Sequence, residues 1–158
     1  MRRYNYEKFI YNDAEYLGSG KSTWLRNNIT NKDSVIISRD AIRFDMLKEN
    51  EPYFSKEKEV YKEFIRQIDE ALQNDKEVWV DQTSLTHAAR YKLLQSIHQK
   101  PDMIVVYYIK CSLETAIRRN SKRSGRARVP EDVIKNMYEG LEEVTRDEGI
   151  SYIVIEND

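Results

Sequence analysis

The sequence predicts an α/β fold in which a parallel sheet is covered by helices on both faces. Three observations predict it. Short apolar, strand-like runs alternate with helical patterns through the 158 residues. Those runs are near-continuously apolar, as strands buried on both faces are. Polar residues gather where the runs end, and open parallel sheets hold their ligands there.

The first strand-like run is Lys8-Phe9-Ile10-Tyr11, after which Asn12-Asp13-Ala14 is too polar to read as buried strand. Gly18 to Thr23 then opens a helix through Trp24-Leu25-Arg26. Ser34-Val35-Ile36-Ile37-Ser38 is the second strand, followed by a helical run from Ala41. Val60, Phe64, Ile68 and Leu72 recur every fourth residue and predict a helix over 56–73. Glu77-Val78-Trp79-Val80-Asp81 is the third strand, with a helix through Tyr91 and Leu94 behind it. The most apolar strand covers 103–109, followed by a helix from Ser112. A further helix is predicted over 130–147, with Pro130 at an early position where its missing N–H costs nothing. Tyr152-Ile153-Val154-Ile155 is the last strand. With no repeat, low-complexity tract or Pro/Gly-rich linker, residues 1–158 read as one domain.

Charged residues make up 34% and apolar ones 40%, the balance of a soluble globular protein. This length buries roughly 68–70% of the unfolded surface. No apolar run approaches the ~18 residues that span a bilayer, and Arg2-Arg3 precede no signal-peptide core. A single cysteine, Cys111, excludes an internal disulfide and fits a reducing cytoplasm; its place at a strand end suits packing. His87 and His98 lack metal-ligand spacing, so zinc is not expected. A net charge of −1 and a pI of 6.2 exclude a surface that coats polyanions as a whole, although residues near 120 are locally basic.

Gly18-Ser19-Gly20-Lys21-Ser22-Thr23 is the back half of a phosphate-binding loop. Small residues let successive N–H groups turn inward on a polyphosphate, and the following helix adds its positive end. In such a loop Lys21 reaches the β/γ-phosphates of a nucleotide and Ser22 holds Mg2+. The front half departs from the pattern: Glu15 stands where glycine is required. A side chain forced to positive φ there costs about 1–2 kcal/mol, and its charge opposes a polyphosphate. A lengthened loop with a displaced strand, impaired nucleotide binding, or an altered segment over 1–17 would each account for it.

Two strand ends add carboxylates. Ser38-Arg39-Asp40, with Arg43 beyond, follows the second strand; Asp40 could serve chemistry or simply cap the next helix. Asp81 ends the third strand in the manner of a Walker-B carboxylate, which orients the hydration of magnesium or holds an arginine. The run from Arg118 to Pro130 is strongly basic. A charge run is often only a solvated face. In a chain with a phosphate loop, a basic helix end entering a short Ser-Gly-Arg loop suits a lid over a transferring phosphate.

RRNSKRSGRARVPEDVIKNMYEGL, GSGKSTW and SRDAIR resemble, in the same order, segments of the kinase domain of bacteriophage polynucleotide kinases. The resemblance covers residues 18–141, strongest in loop and lid. It implies a three-layer P-loop kinase fold with a five-stranded parallel sheet in the order 2-3-1-4-5. It further implies that Gly18, Ser19, Gly20, Lys21, Ser22, Thr23, Arg119 and Arg123 bind ATP, with Ser22 and Asp81 at Mg2+. Asp40 would be the base that takes the proton of a polynucleotide 5′-hydroxyl, Arg43 would contact the acceptor-side phosphate, Asp81 would be the second essential carboxylate on the substrate side, and Arg123 would meet the transferring phosphate. Lys21 completes the catalytic set. The phosphatase domain that follows the kinase in that family is not expected, and since the related enzyme assembles, homo-oligomers are open to this chain.

The function so implied is ATP-dependent phosphorylation of a 5′-hydroxyl of nucleic acid. A P-loop kinase of a small molecule, a nucleoside or a tRNA-linked group shares the same features. A non-catalytic nucleotide-binding protein is the third reading, supported by Glu15 and the polar 11–14 stretch.

Overall fold

The computed structural model describes the backbone of residues 8–14 and all of residues 18–158 apart from the Arg126 side chain. In chain order the elements are β1 (Lys8–Ala14), α1 (Lys21–Asn28), β2 (Ser34–Ser38), α2 (Arg39–Met46) and α3 (Glu57–Gln73). They continue as β3 (Glu77–Asp81), α4 (His87–Ser96), β4 (Met103–Lys110), α5 (Leu113–Ser121), α6 (Glu131–Glu139) and β5 (Ser151–Glu156). The strands form one sheet ordered β2-β3-β1-β4-β5, parallel throughout.

Period-two alternation in β3 sets the layers. Val78 and Val80 join Phe64, Ile68 and Leu72 of α3 and Leu93 of α4 in the larger core. Trp79 turns to the opposite face and packs with Leu25 of α1, Trp24 and Tyr107. The four-residue repeat of α3 is its buried stripe: Val60, Phe64, Ile68 and Leu72 are fully buried. Cys111 is also buried, packed beside Ala116 and Ile134, as its position at a strand end suggested.

β1 departs from expectation. It runs through the polar stretch to Ala14 and lies at the sheet's centre, Asn12 facing Asp81 on β3 and Tyr107 on β4. Ladders on both sides, built on the apolar runs of β3 and β4, hold this backbone extended whatever its own propensity. The strand is therefore not displaced. Glu15, Tyr16 and Leu17 lie outside the described residues, as do residues 1–7, and so do the expectations placed on them.

The helix expected over 130–147 is also shorter. α6 stops at Glu139 with Gly140 as its cap, and the chain continues irregularly into a 3-10 turn, Arg146–Glu148. Arg90 is the cause. Wholly buried on α4, it donates to the carbonyls of Ser84 (3.1 Å) and Glu142 (3.0 Å), and its Nε and Nη2 each meet the Glu148 carboxylate at 2.8 Å. A buried guanidinium needs these acceptors, and a continuous helix would have used the Glu142 carbonyl itself. Burial works against the Glu148 charge, but the bonds from Arg90 and from the Thr145 N–H hold its carboxyl below the usual glutamate value.

Candidate active site

Gly18 and Gly20 have φ of +98° and +86°, left-handed conformations that side chains avoid. A Cβ on Gly18 would also stand 2.7 Å from the Ala116 carbonyl oxygen. Gly20 caps α1, its carbonyl accepting from Trp24 N–H at 2.9 Å. The N–H groups opening α1 thus lack helical partners and, with the helix dipole, favour an anion. The Ser19 carbonyl is held from the far side: Asn157 Nδ2 donates to it at 2.6 Å and Arg119 Nη1 at 3.2 Å, while Arg119 Nη1 also bonds the Asn157 carbonyl at 2.7 Å.

Asp81, buried at the end of β3, receives the loop's two polar side chains. Lys21 Nζ pairs with its Oδ1, and Ser22 Oγ donates to Oδ2 at 2.9 Å. Two hard oxygen ligands therefore sit side by side, a donor set suited to Mg2+. Among the described residues no group of three or more His, Cys, Asp and Glu side chains could hold a metal ion. His87 instead bonds the Glu143 carbonyl at 2.9 Å, and His98 pairs with Asp69 at 2.8 Å.

Ser38 of β2 lies in register with Asp81, so the start of α2 is set beside it. Ser38 caps that helix, its Oγ accepting from Ala41 N–H. Asp40 is thus not the cap, contrary to that reading of the sequence. It sits in the first turn, where the dipole favours a carboxylate, with its side chain 47% exposed. Its Oδ1 accepts from the Tyr53 hydroxyl at 2.8 Å and pairs with Arg43 Nη1.

Arg43 is buried, and each of its three side-chain nitrogens has hydrogen-bond partners. Nε bonds Glu57 Oε2 at 3.2 Å, and Nη2 bonds Oε1 and Oε2 at 3.1 and 3.0 Å. Nη1 serves Asp40 and the Tyr53 hydroxyl, the latter at 2.8 Å. Burial works against the guanidinium charge, but Tyr53, Glu57 and Asp40 together hold its pKa above the ordinary value. The Tyr53 hydroxyl is pushed up to about 12, by burial first and then by the Asp40 charge. Arg39 pairs with Glu57 and donates to Gln82 Oε1 at 3.3 Å.

A cavity of about 720 Å³ opens between this cluster and the basic segment after α5, with Asp40, Arg43, Phe54, Asp81, Arg123 and Arg128 among its walls. Lys21 is not in its lining, so the cavity lies to the α2 side of Asp81 and not over the loop. Buried Asn120 fixes the basic segment: its Nδ2 donates to the Val129 carbonyl at 2.8 Å and its Oδ1 accepts from Val129 N–H at 3.1 Å. Every candidate site residue named from the sequence thus lies either at the phosphate loop or around this cavity. Tyr53, Glu57 and Asn157 belong to no motif and went unread. Only their distant partners reveal them.

A family model described as AAA domain matches residues 16–144. The chain belongs to that family. Among curated proteins it is similar to an L-seryl-tRNA(Sec) kinase of Methanococcus maripaludis, 36% identical over 114 residues, 69% of this chain and 41% of that protein. The chain thus spans well under half the length of that relative. Among solved structures, a chain of the Pnkp1/Rnl/Hen1 RNA repair complex superposes with a TM-score of 0.72 at 21% identity, over 86% of this chain and 44% of that one. A sugar kinase from Janibacter sp. HTCC2649 gives 0.66 at 17% identity, over 94% and 84%. A gluconokinase from Sinorhizobium meliloti 1021 gives 0.61 at 20%, over 99% and 85%. At such identities these likenesses establish the fold, that of the α/β P-loop kinases. No helix among the described residues is long and apolar enough to cross a membrane.

Proposed function

We propose that the chain is one kinase domain that transfers the γ-phosphate of ATP to a 5′-hydroxyl of a polynucleotide. The observation that carries this reading is the adjacency of two strand-end carboxylates with different surroundings. Asp81 is buried against Lys21 and Ser22, while Asp40, one strand over, opens to a large cavity. One suits the donor side and the other the acceptor side.

In this mechanism Gly18 to Thr23 wrap the ATP phosphates, and Lys21 leaves Asp81 to reach them. Arg119 steadies the loop from behind. Ser22 and Asp81 would hold Mg2+, which supplies charge neutralisation on the phosphate oxygens. Asp40 accepts the proton of the acceptor hydroxyl as that oxygen bonds to the γ-phosphorus. The bond from phosphorus to the β,γ-bridging oxygen breaks, and ADP leaves. Arg43 keeps Asp40 in place at the cavity wall, and Arg123, from the lid, meets the charge on the transferring group.

The RNSKR segment and the acceptor-sized cavity favour a polynucleotide. A second reading, phosphorylation of a hydroxyl on an aminoacyl-tRNA, is favoured by the 36% identity to the seryl-tRNA kinase. Transfer of labelled phosphate from ATP to 5′-hydroxyl oligonucleotides, nucleosides and seryl-tRNA decides between them. Label on seryl-tRNA alone would replace the first reading with the second, and label on none would remove both.

A further inference from the structure

Ser19 is buried, and its carbonyl accepts two hydrogen bonds, from Asn157 Nδ2 at 2.6 Å and from Arg119 Nη1 at 3.2 Å. Among the described residues no peptide bond is cis, and across a trans peptide the C=O and the next N–H point in opposite directions. A Ser19 carbonyl drawn toward Asn157 therefore turns the Gly20 N–H the other way. That N–H bonds no described residue, nor do those of Lys21, Ser22 and Thr23 at the start of α1. The pull on one carbonyl thus keeps a fourth donor free beside the three that open the helix.

Asn157 is itself fixed. Its N–H donates to the Lys110 carbonyl at 2.7 Å and its carbonyl accepts from Arg119 Nη1 at 2.7 Å, so both main-chain groups are taken. Asp158 beside it accepts from the Ser112 N–H at 2.6 Å. The fit to the loop is close: a Cβ on Gly20 would stand 2.5 Å from Asn157 Nδ2. Arg119 Nη1 is divided among the carbonyls of Gly18 (3.5 Å), Ser19 and Asn157, whereas Asn157 Nδ2 gives the Ser19 carbonyl the shorter bond. A carbonyl oxygen only accepts, so the amide N–H is what matters here, and an ionised carboxylate of the same shape cannot replace it.

We infer that Asn157 is a positioning residue for the donor's polyphosphate: its hold on the Ser19 carbonyl aims the Gly20 N–H at the phosphates before they arrive. It touches no reacting atom and acts through the loop backbone, removing an ordering cost from binding. The inference rests on the kinase reading and adds to it a determinant 138 residues beyond the loop.

Its test is calorimetry of inorganic tripolyphosphate and of ATP with the wild-type chain, Asn157→Asp and Asn157→Ala, beside the amide NMR signals of the glycines. The wild type should bind both ligands, and its Gly20 amide proton should move downfield on meeting a phosphate oxygen. In Asn157→Asp both affinities should fall about 10- to 100-fold, the size of one hydrogen bond to a charged group, and the Gly20 shift should shrink. Asn157→Ala should lose less, because Arg119 still holds the carbonyl and no carboxylate repels it. A contact with the base would instead weaken ATP and spare tripolyphosphate. That pattern, no binding of tripolyphosphate by the wild type, unchanged affinities in Asn157→Asp, or a Gly20 amide unmoved by either ligand would each overturn the assignment. Near-ultraviolet circular dichroism of the Trp24, Trp79 and Tyr107 cluster checks that α1 is still docked in each variant. If both variants have lost that signal, the wild-type Asn157 side-chain amide decides. Its protons should stay protected from exchange when tripolyphosphate binds, and their release on binding would overturn the assignment. Phosphate transfer to a 5′-hydroxyl oligonucleotide is scored separately. A chain with Asn157-dependent polyphosphate binding and no transfer would refute the kinase reading and leave this role standing.

Discussion

Ser22 Oγ and Asp81 Oδ2 meet at 2.9 Å across 59 residues of chain. One belongs to the first helix after the loop and the other to the strand beside β1, so their meeting measures whether loop and sheet are correctly assembled. If they hold Mg2+ together, Ser22→Ala should raise the Mg2+ concentration for half-maximal phosphate transfer by about 10-fold or more, in the range seen when a metal site loses a supporting group. Titration of Mg2+ at saturating ATP checks it, and an unchanged midpoint would remove Ser22 from the metal site.

Lys21→Ala and Arg123→Ala should both disable transfer, by different routes. Lys21 touches the donor before and during the reaction, so ATP affinity should fall along with rate. Arg123 should act on the transition state, lowering kcat by at least ~10² with little change in ATP affinity. ATP titration of the two variants separates the cases, and a fully active Arg123→Ala chain rejects the lid assignment.

Asp40→Asn should lower single-turnover transfer by about 10²–10⁴ while ATP binding is kept. Because Ser38 caps α2, the helix does not depend on Asp40, and a thermal melt should move little. Tyr53→Phe removes one bond from the same carboxylate. It should reduce kcat by roughly 10-fold, a misplaced base being less costly than a missing one, and leave the KM for ATP unaltered.

Glu148→Gln tests the fold apart from the chemistry. Removing one charge from a buried pair typically costs about 3–5 kcal/mol, and Arg90 on the other side is wholly buried. The Glu148 carboxyl is held below its usual value. Its contribution is therefore present at neutral pH and is lost as pH falls below the usual glutamate value of 4.5 and through the lowered folded one. Urea melts between pH 3 and 7 should show the wild type losing stability at the acid end, with Glu148→Gln low throughout and flatter.

The parallel sheet was legible because its strands read as apolar runs, although only β3 is buried nearly throughout and β5 is largely exposed; β3 matched the expected residues at both ends. β1 was only half legible: Asn12 and Asp13 look like loop, and only pairing from both sides makes them strand. The end of α6 was illegible for a related reason, since Arg90 lies about fifty residues upstream of the carbonyls it captures. At the site, the loop and the strand-end carboxylates announced themselves through motifs, as tight local geometry does. Glu57 did not. It sits in the first turn of a helix whose pattern explains it as an ordinary acidic start, and only the fold shows that it neutralises two arginines of α2.

The hold of Asn157 and Arg119 on the Ser19 carbonyl joins the sheet's outermost strand to the hinge of the phosphate loop. Peeling β5 away would let the loop slacken, and a nucleotide that fixes the loop should in turn fasten that border. Amide protons of 151–156 should therefore exchange more slowly when ATP is added, although none of them touches it. A strand on the rim of the molecule becomes a reporter of occupancy at its centre.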